Sequence, residues 1–169
     1  MEVGKLKTNL NTAVLEDLII GRVYPHIYAF STNTVPKYWK VGDTVRPVKI
    51  RLAEWRKHYK DLTQEYSRAA KVGDKFFRDY AIHGYLEREL GKERLQRENM
   101  PAGLYYSNEF FKDVNVENIE DAFAHIEQDA KQGGGVYQLY NEQHLPEVPH
   151  YERDLEPYKL RPNQEDAVK

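Results

Sequence analysis

The stretch HIYAFSTNTVPKYWKVGDT, residues 26–44, decides the fold. Two short runs rich in aromatic and β-branched residues, IYAF and YWKVG, flank a polar segment, STNTVPK, that is typical of turns. The pattern predicts a β-hairpin. This hairpin would bring Tyr28 of the first strand and Lys40 and Gly42 of the second to one surface, an arrangement that can carry phosphodiester chemistry.

A helix is predicted directly behind the hairpin, in RPVKIRLAEWRKHY at 46–59. Its apolar residues recur at intervals of four, three and four, which is one face of a helix: Val48, Leu52, Trp55 and Tyr59. Arg51 borders this packed face, where a guanidinium can grip a phosphate in a fixed, bidentate way. The rest of the segment is basic, so it is either a solvated face or a contact for a phosphate backbone. Its candidate DNA-binding residues are Arg46, Lys49, Arg56, Lys57 and Lys60.

The chain beyond this helix favours one more strand and two more helices. DLTQEYSRAAKV, residues 61–72, is weakly alternating and is interpreted as a third strand. The segment 73–91 predicts a helix with Asp74 as its N-cap and Gly91 at its end, and with Phe77, Tyr80, Ala81 and Gly84 on one face. The segment 115–135 predicts another, with a stripe of Ile119, Ala122, Phe123 and Ile126 before three glycines. The predicted fold class is therefore α/β (α+β), with a small, mostly antiparallel three-stranded sheet flanked by helices.

Both ends of the chain differ from this central part. Residues 11–20 predict a short helix, so residues 1–22 are interpreted as an N-terminal helical extension. Residues 133–157 are interpreted as a linker, because the composition becomes proline-rich and acidic from Leu145 onward. Residues 158–169 would then begin a further domain of a longer protein.

The composition excludes several classes of protein. Hydrophobic residues make up 40% and charged residues 31% of the chain, which is typical of a globular domain with a charged surface. A formal net charge of −2 excludes a uniformly basic nucleic-acid coat, although a local basic patch is compatible with it. The chain has no cysteine, which excludes disulfides, thiolate zinc sites and cysteine nucleophiles. No apolar run approaches the roughly 18 residues of a membrane span, so a cytoplasmic location and no membrane partner are expected.

The order of six short motifs, two of which overlap, resembles the GIY-YIG nuclease superfamily, and most closely its phage and mobile-element branch. HIY stands where that family has Gly-Ile-Tyr, and KVG stands where it has Tyr-Ile-Gly. The further matching motifs are VGDT at 41–44, RL at 51–52, RDYAIH at 78–83 and NEFF at 108–111. The resemblance runs from residue 26 to about 130 and implies a GIY-YIG-like nuclease domain at 23–132.

The resemblance implies a metal-dependent DNA endonuclease that uses Mg²⁺ or Mn²⁺. Tyr28 would help to activate the attacking water as a general base. Because a phenol is normally protonated at neutral pH, it would depend on nearby cations for this role. Lys40 and Arg51 would stabilise negative charge on the phosphorus oxygens.

The family's helix carboxylate corresponds to Asp79, which makes this residue the first candidate for the metal ligand. His83 lies four residues later on the same helix face and would be a catalytic group that supports the metal. Glu87 continues that face and is the alternative ligand. His26, Gly42 and Glu109 are expected to support the site, or to contact the DNA, without binding the metal directly.

Two departures from the family pattern leave other functions open. His26 replaces the first glycine, and Asp79 replaces the usual glutamate. These departures favour, as an alternative, a catalytically silent DNA-binding module. A further alternative is a protein-interaction module that uses the acidic C-terminal third.

The end of the chain, LRPNQEDAV at 160–168, resembles the opening of a superfamily 2 helicase. In that family the residue corresponding to Gln164 reads the adenine base. The resemblance implies that a helicase-like domain follows in the full-length protein and is its partner. ATP would serve only that absent motor. Such nuclease-motor proteins suit phage defence, and a homodimer is a further possible partner because one such site cuts one strand.

Overall fold

The computed structural model describes residues 23–145. The predicted N-terminal helix and the helicase-like segment with Gln164 lie outside these residues. In chain order the elements are β1 (His26–Ser31), β2 (Tyr38–Thr44), α1 (Val48–Trp55), β3 (Thr63–Ala69), β4 (Lys71–Val72), β5 (Lys75–Phe76), α2 (Asp79–Gly84), β6 (Phe110–Lys112), α3 (Val116–Lys131) and β7 (Tyr140–Asn141). A π-helical turn, Tyr85–Glu89, continues α2, and 3₁₀ turns lie at Arg97–Asn99 and Glu142–His144.

The main sheet is antiparallel and has the strand order β3-β1-β2-β6. The predicted hairpin is confirmed: β1 pairs with β2 so that Tyr28 lies opposite Gly42 and Phe30 lies opposite Lys40. The predicted third strand is also confirmed as β3, on the other side of β1. The sequence did not indicate the short fourth strand β6 or the second small sheet, β4-β5-β7.

Both faces of the main sheet are buried. Because side chains alternate along a strand, Ile27, Ala29 and Val41 point to one face, where they pack with α2 and α3. Tyr28 and Phe30 point to the other face, where they pack with α1. This double burial explains why the β1 sequence is continuously apolar instead of alternating. The apolar stripe of α3 is confirmed, since all four predicted residues are buried, and a reciprocal Asn115–Asn118 cap begins that helix.

The helix predicted at 73–91 begins later than expected. Lys71–Val72 and Lys75–Phe76 form a hairpin whose turn contains Gly73 at φ +61°, so Asp74 is a turn residue and not an N-cap. The helix begins at Asp79, and Tyr80 is exposed and does not line the core. Asp74 failed as a cap because the strand pairing of residues 71–76 prevailed over local helix propensity. Gly91 at φ +65° follows the helical segment as predicted.

Two further boundaries differ from the sequence interpretation. Helix α1 ends at Trp55, four residues before Tyr59, which is nevertheless buried because the chain turns back into the core. Residues 133–145, the start of the predicted linker, pack on the domain: Tyr137 is buried, and Tyr140–Asn141 pairs with β5. No helix within residues 23–145 is long and apolar enough to cross a lipid bilayer.

Candidate active site

At the outer edge of β2, the strand β6 and the helix α2 both approach. The neighbouring strand β6 pairs with β2 along Tyr38–Lys40, after which the Val41 N–H donates to the Glu109 carbonyl at 2.9 Å. Farther along the edge, α2 approaches. Its His83 Nε2 lies 2.7 Å from the Val41 carbonyl, and its first backbone N–H, at Asp79, donates to the Asp43 carboxylate at 2.8 Å. Asp43 thus satisfies a helix N-terminal donor that no residue of α2 caps.

Asp79, His83 and Glu109 converge at this edge and are called the carboxylate half of the site. One potential ligand atom from each residue lies within 4.8 Å of the others. Burial, together with the nearby carboxylates of Asp43 and Glu109, raises the pKa of the Asp79 carboxyl to about 7, although Lys40 and Arg78 act in the opposite direction. Two carboxylates in a partly desolvated environment repel each other, so binding of either a proton or a cation between them is favourable.

The hydrogen bond of His83 fixes its tautomer. A carbonyl only accepts, so Nε2 carries the proton that is donated to Val41. Burial lowers the pKa of His83, which keeps the ring neutral near pH 7. In a neutral imidazole with Nε2 protonated, Nδ1 holds a free lone pair. His83 therefore offers one nitrogen ligand in the form that a metal requires.

Tyr28, Lys40, Arg51 and Trp55 form the second part, called the cationic half. The Trp55 indole N–H donates to the Tyr28 hydroxyl oxygen at 2.8 Å. The Lys40 ammonium lies 4.4 Å from the centre of the Trp55 ring, and the Arg51 guanidinium lies 5.0 Å from it, within the range of cation–π attraction. One indole thus orders the phenol oxygen and both cations.

Arg51 is anchored by an ion pair. Its guanidinium donates to Glu54 at 2.8 Å, and Arg46 donates to the same carboxylate at 2.6 Å. Burial disfavours the Arg51 charge, but Glu54 and the Tyr28 oxygen more than offset this, so the pKa of Arg51 is raised. Arg51 remains one-third exposed, which leaves part of the guanidinium available to a phosphate.

A single ion pair joins the two halves. Lys40 Nζ donates to Glu109 Oε1 at 2.7 Å, although Lys40 itself is only 1% exposed. Lys40 is thus a resident cation beside the carboxylate half. Gly42 makes this arrangement possible, because a Cβ at this position would lie 2.8 Å from the Tyr28 hydroxyl oxygen and 2.9 Å from Lys40 Nζ.

The structure brings together five of the residues predicted for catalysis or metal binding and leaves one apart. Tyr28, Lys40, Arg51, Asp79 and His83 all belong to the two halves. Glu87 does not: its carboxylate pairs with Arg94 at 2.6 Å, and its side chain is 40% exposed. The π-helical turn that contains Glu87 follows α2 directly. It changes the helical periodicity, so Glu87 does not continue the face of Asp79 and His83.

The predicted DNA-binding residues lie just before α1, on it and in the turn that follows it. Arg46 is half-buried and paired with Glu54. The remaining four are exposed: Lys49, Arg56, Lys57 and Lys60. His26 begins β1, opposite Thr44 on β2 and Ala69 on β3, on the same side of the strand as Tyr28.

Three residues of the site were missed or underestimated in the sequence. Trp55 was assigned only to the helix face, although its spacing of four from Arg51 indicated that the two side chains could meet. Glu109 was expected to support the site from outside, but it belongs to the cluster itself. Asp43 was not singled out, and no local pattern indicates that it would cap a helix 36 residues away.

The donor set of the carboxylate half fits a hard or borderline divalent cation. Mg²⁺ is usually bound by one or two carboxylates together with substrate phosphates and water, and Asp79 and Glu109 supply two carboxylates. Mn²⁺ accepts the same oxygen ligands, and the Nδ1 atom of His83 would add a nitrogen. The burial that raises the pKa of Asp79 also favours a bound cation over a free pair of charges.

Comparison with known proteins gives one match. A protein-family model described as the T5orf172 domain matches residues 25–127, a span that contains both halves of the site. The T5orf172 domain is a phage-associated, nuclease-like domain related to GIY-YIG and HNH-type endonucleases. No curated protein and no solved structure matches the chain.

Proposed function

The chain belongs to the T5orf172 domain family, and from this premise we propose that it is a metal-dependent DNA endonuclease of the GIY-YIG type. One observation carries the proposal: two carboxylates and a neutral imidazole converge within 4.8 Å, directly beside a buried lysine. Phosphodiester hydrolysis requires stabilisation of negative charge on both the phosphorus oxygens and the leaving oxygen. The cationic half suits the first task, and a cation in the carboxylate half suits the second.

Asp79, Glu109 and His83 would hold Mg²⁺ or Mn²⁺. The bound metal would act as a Lewis acid and offset charge on the leaving oxygen. Asp43 keeps Asp79 in place by accepting its backbone N–H. The Val41 carbonyl keeps the His83 ring oriented with Nδ1 available.

The cationic half would bind the scissile phosphate and prepare the water. Arg51, held by Glu54 and still partly exposed, would contact the phosphate oxygens. Lys40 would remain paired with Glu109 and would also stabilise the negative charge that develops on the phosphorus oxygens. Tyr28 would take the proton from the attacking water at its hydroxyl oxygen, which the Trp55 N–H holds in place.

The exposed basic residues of α1 and its following turn would hold the DNA backbone beside this site. Lys49 lies on the same helix as Arg51, and Arg56, Lys57 and Lys60 follow the end of that helix. A DNA strand that contacts them would therefore run beside the helix that carries Arg51. This contact is sequence-independent and should weaken steeply with salt.

Cleavage of supercoiled plasmid with Mg²⁺ or Mn²⁺ tests the proposal. We expect the parent to nick the plasmid, and Tyr28→Phe, Arg51→Ala and Asp79→Ala each to lose this activity by at least about a hundredfold. Arg68→Ala is a matched control for Arg51→Ala, since it also breaks one Arg–Glu pair, but on β3 with Glu120. It should cut like the parent.

Absence of cutting, with salt-sensitive DNA binding intact, would contradict the endonuclease and favour the silent DNA-binding module. Binding of a protein through an apolar interface, with no affinity for DNA, would instead favour the interaction module. Thermal unfolding of each variant separates loss of chemistry from loss of fold.

We also propose that the nuclease acts in front of a helicase-like motor, as its own C-terminal domain, in a longer protein. The support is the motif with Arg161, Pro162 and Gln164. A protein that contains both parts should cleave DNA faster with ATP than without it. A homodimer would give two sites for a double-strand break, which sedimentation on DNA would detect.

A further inference from the structure

A cavity lies directly beside the carboxylate half. It has a volume of about 520 Å³, and Asp79 forms part of its wall. The rest of the wall combines the aromatic rings of Phe76, Tyr80 and Tyr140 with the polar groups of Asp43, Arg78 and His144. Small-molecule sites typically enclose about 300–1,000 Å³ with aromatic walls and a few polar groups, so this cavity has the size and chemistry of a ligand site.

Tyr80 is the most accessible aromatic ring of this wall. It follows Asp79 in the chain, yet 46% of the residue is exposed. Its hydroxyl forms a hydrogen bond with the Tyr140 hydroxyl, and the Tyr140 ring stacks on Phe76 at 5.2 Å and 26°. The ring is therefore fixed at its polar end while much of its surface remains open. An ordered, open aromatic ring beside a polar site is typical of a stacking platform for a base.

The charges of the wall are compatible with a nucleotide. Asp43 is neutralised by Arg78, which donates to both carboxylate oxygens at 2.7 and 3.1 Å. Arg78 and His144 leave nitrogen donors at the wall. The other carboxylate of the wall is Asp79, which also belongs to the carboxylate half. A phosphate at Asp79 is opposed only until a cation binds there.

We propose that this cavity holds one unpaired nucleotide of the DNA substrate, with its base stacked on Tyr80 and its phosphate at the carboxylate half. The inference rests on the proposed function and specifies its substrate class: DNA with an unpaired nucleotide at the point of cleavage. Within a duplex both faces of a base are already stacked, so a paired nucleotide must first leave the helix to reach the ring. A bulged nucleotide is already unpaired and needs less energy to enter.

The experiment uses the whole 169-residue chain and separates binding from cutting. The probe is 2-aminopurine, placed either as a one-base bulge or in the same position of a fully paired duplex. Binding is measured with Ca²⁺ in place of Mg²⁺, because Ca²⁺ also takes carboxylate and phosphate oxygens as ligands, in a looser geometry. Base–aromatic stacking typically strengthens binding by about tenfold or more per base. We therefore expect the parent to bind the bulged duplex about tenfold more tightly than the paired one and to quench the bulged 2-aminopurine.

Tyr80→Ala and Tyr80→Phe form the matched pair of variants. Both lose the hydrogen bond to Tyr140, but only Tyr80→Phe keeps the ring. Tyr80→Ala should lose the bulge preference and the quenching while keeping the affinity for paired duplex within about twofold. Tyr80→Phe should keep both. Thermal unfolding shows that each variant is folded.

Several outcomes would overturn the inference: no preference of the parent for the bulge, a preference that Tyr80→Ala retains, or equal loss of affinity for both duplexes. Adding Mg²⁺ then distinguishes this failure from that of the endonuclease. A ring-dependent preference without cleavage supports the nucleotide site and contradicts the catalytic proposal. Equal cutting of bulged and paired DNA by parent and Tyr80→Ala supports the catalytic proposal and overturns the nucleotide site.

Discussion

The cationic and carboxylate halves of the site differ in how their charges are balanced. In the cationic half, Arg51 has Glu54 as a counter-ion, and both cations lie against one indole ring. In the carboxylate half, two acidic groups share Lys40, and burial together with their mutual repulsion raises the pKa of Asp79 to about 7. The first half is arranged before any ligand binds, whereas the second gains from the arrival of a cation. Substitutions in one half, or in the ion pair between the halves, test this difference.

Lys40→Met should have the largest effect, because within residues 23–145 the Lys40–Glu109 ion pair connects the two halves. Methionine fills similar space without charge. Loss of one electrostatic group reduces catalysis by about 10²–10³-fold, so nicking should fall by that factor. Mn²⁺ affinity should rise about fivefold to tenfold, because a competing positive charge is removed from Glu109. Calorimetric titration with Mn²⁺ measures the second effect, and unchanged affinity would show that the halves are not electrostatically connected.

Gly42→Ala should disturb the cationic half alone. The added Cβ would lie within 3 Å of both the Tyr28 hydroxyl and Lys40 Nζ, so both groups must shift. A displacement of about 1 Å can reduce the rate about a hundredfold, and the nicking rate should fall by this amount. Mn²⁺ affinity should stay within about threefold of the parent. Loss of Mn²⁺ binding together with activity would contradict the separation of the halves.

The pH dependence of metal binding should follow Asp79. With a pKa of about 7, its carboxyl is mostly protonated at pH 6 and mostly ionised at pH 8. A metal requires the ionised form, so Mn²⁺ should bind about tenfold more tightly at pH 8 than at pH 6. Calorimetric titration at both pH values checks this, and a flat profile would show that Asp79 is not a ligand.

The same carboxyl gives the metal-free protein the opposite pH trend in stability. Its pKa is raised in the folded state, so its stabilising contribution is full below the ordinary value of 3.8 and is lost as the pH rises through about 7. Asp79→Asn removes this dependence. In EDTA the variant should therefore be more stable than the parent at pH 8, with a smaller advantage at pH 5. Asp121→Asn, at an exposed site on α3, is the control and should show no such trend.

Glu87→Gln should have the smallest effect and decides between the two ligands considered from sequence. Glu87 is paired with Arg94 outside the carboxylate half. An exposed pair contributes about 0–1 kcal/mol to stability, so unfolding should change little and Mn²⁺ affinity should stay within about twofold. If this variant lost Mn²⁺ binding while Asp79→Asn kept it, Glu87 would be the ligand instead.

Much of the cationic half was predictable because it depends on short-range periodicity. Strand alternation and the hairpin pattern indicated that Tyr28, Lys40 and Gly42 share a surface, and the helical spacing placed Arg51 beside the packed face. The pairing of Tyr28 with Gly42 agrees with this. The role of Trp55 was not predicted, because a buried aromatic residue on a helix gives the same pattern whether or not its N–H has a partner.

The carboxylate half was only partly predictable. The spacing of four between Asp79 and His83 indicated a shared face, and the helix there confirms it. The same rule, applied once more, extended the face to Glu87. It failed because the helix changes to π-helical geometry at Tyr85. No residue type between Asp79 and Glu87 predicts that change from the sequence.

The sequence by itself determined the hairpin, the amphipathic stripes of α1 and α3 and the class of the fold, because these follow from patterns that repeat every two to four residues. Only the tertiary structure decided that Glu109 lies beside Asp79 and His83. It also brought Glu109 to Lys40, its ion-pair partner, which is 69 residues away in the chain. It also decided that Asp43 accepts the first backbone N–H of α2 and that Tyr80 borders a cavity. These contacts depend on how a short β6 leaves the edge of β2 open, and such non-local packing is not encoded in any single local pattern.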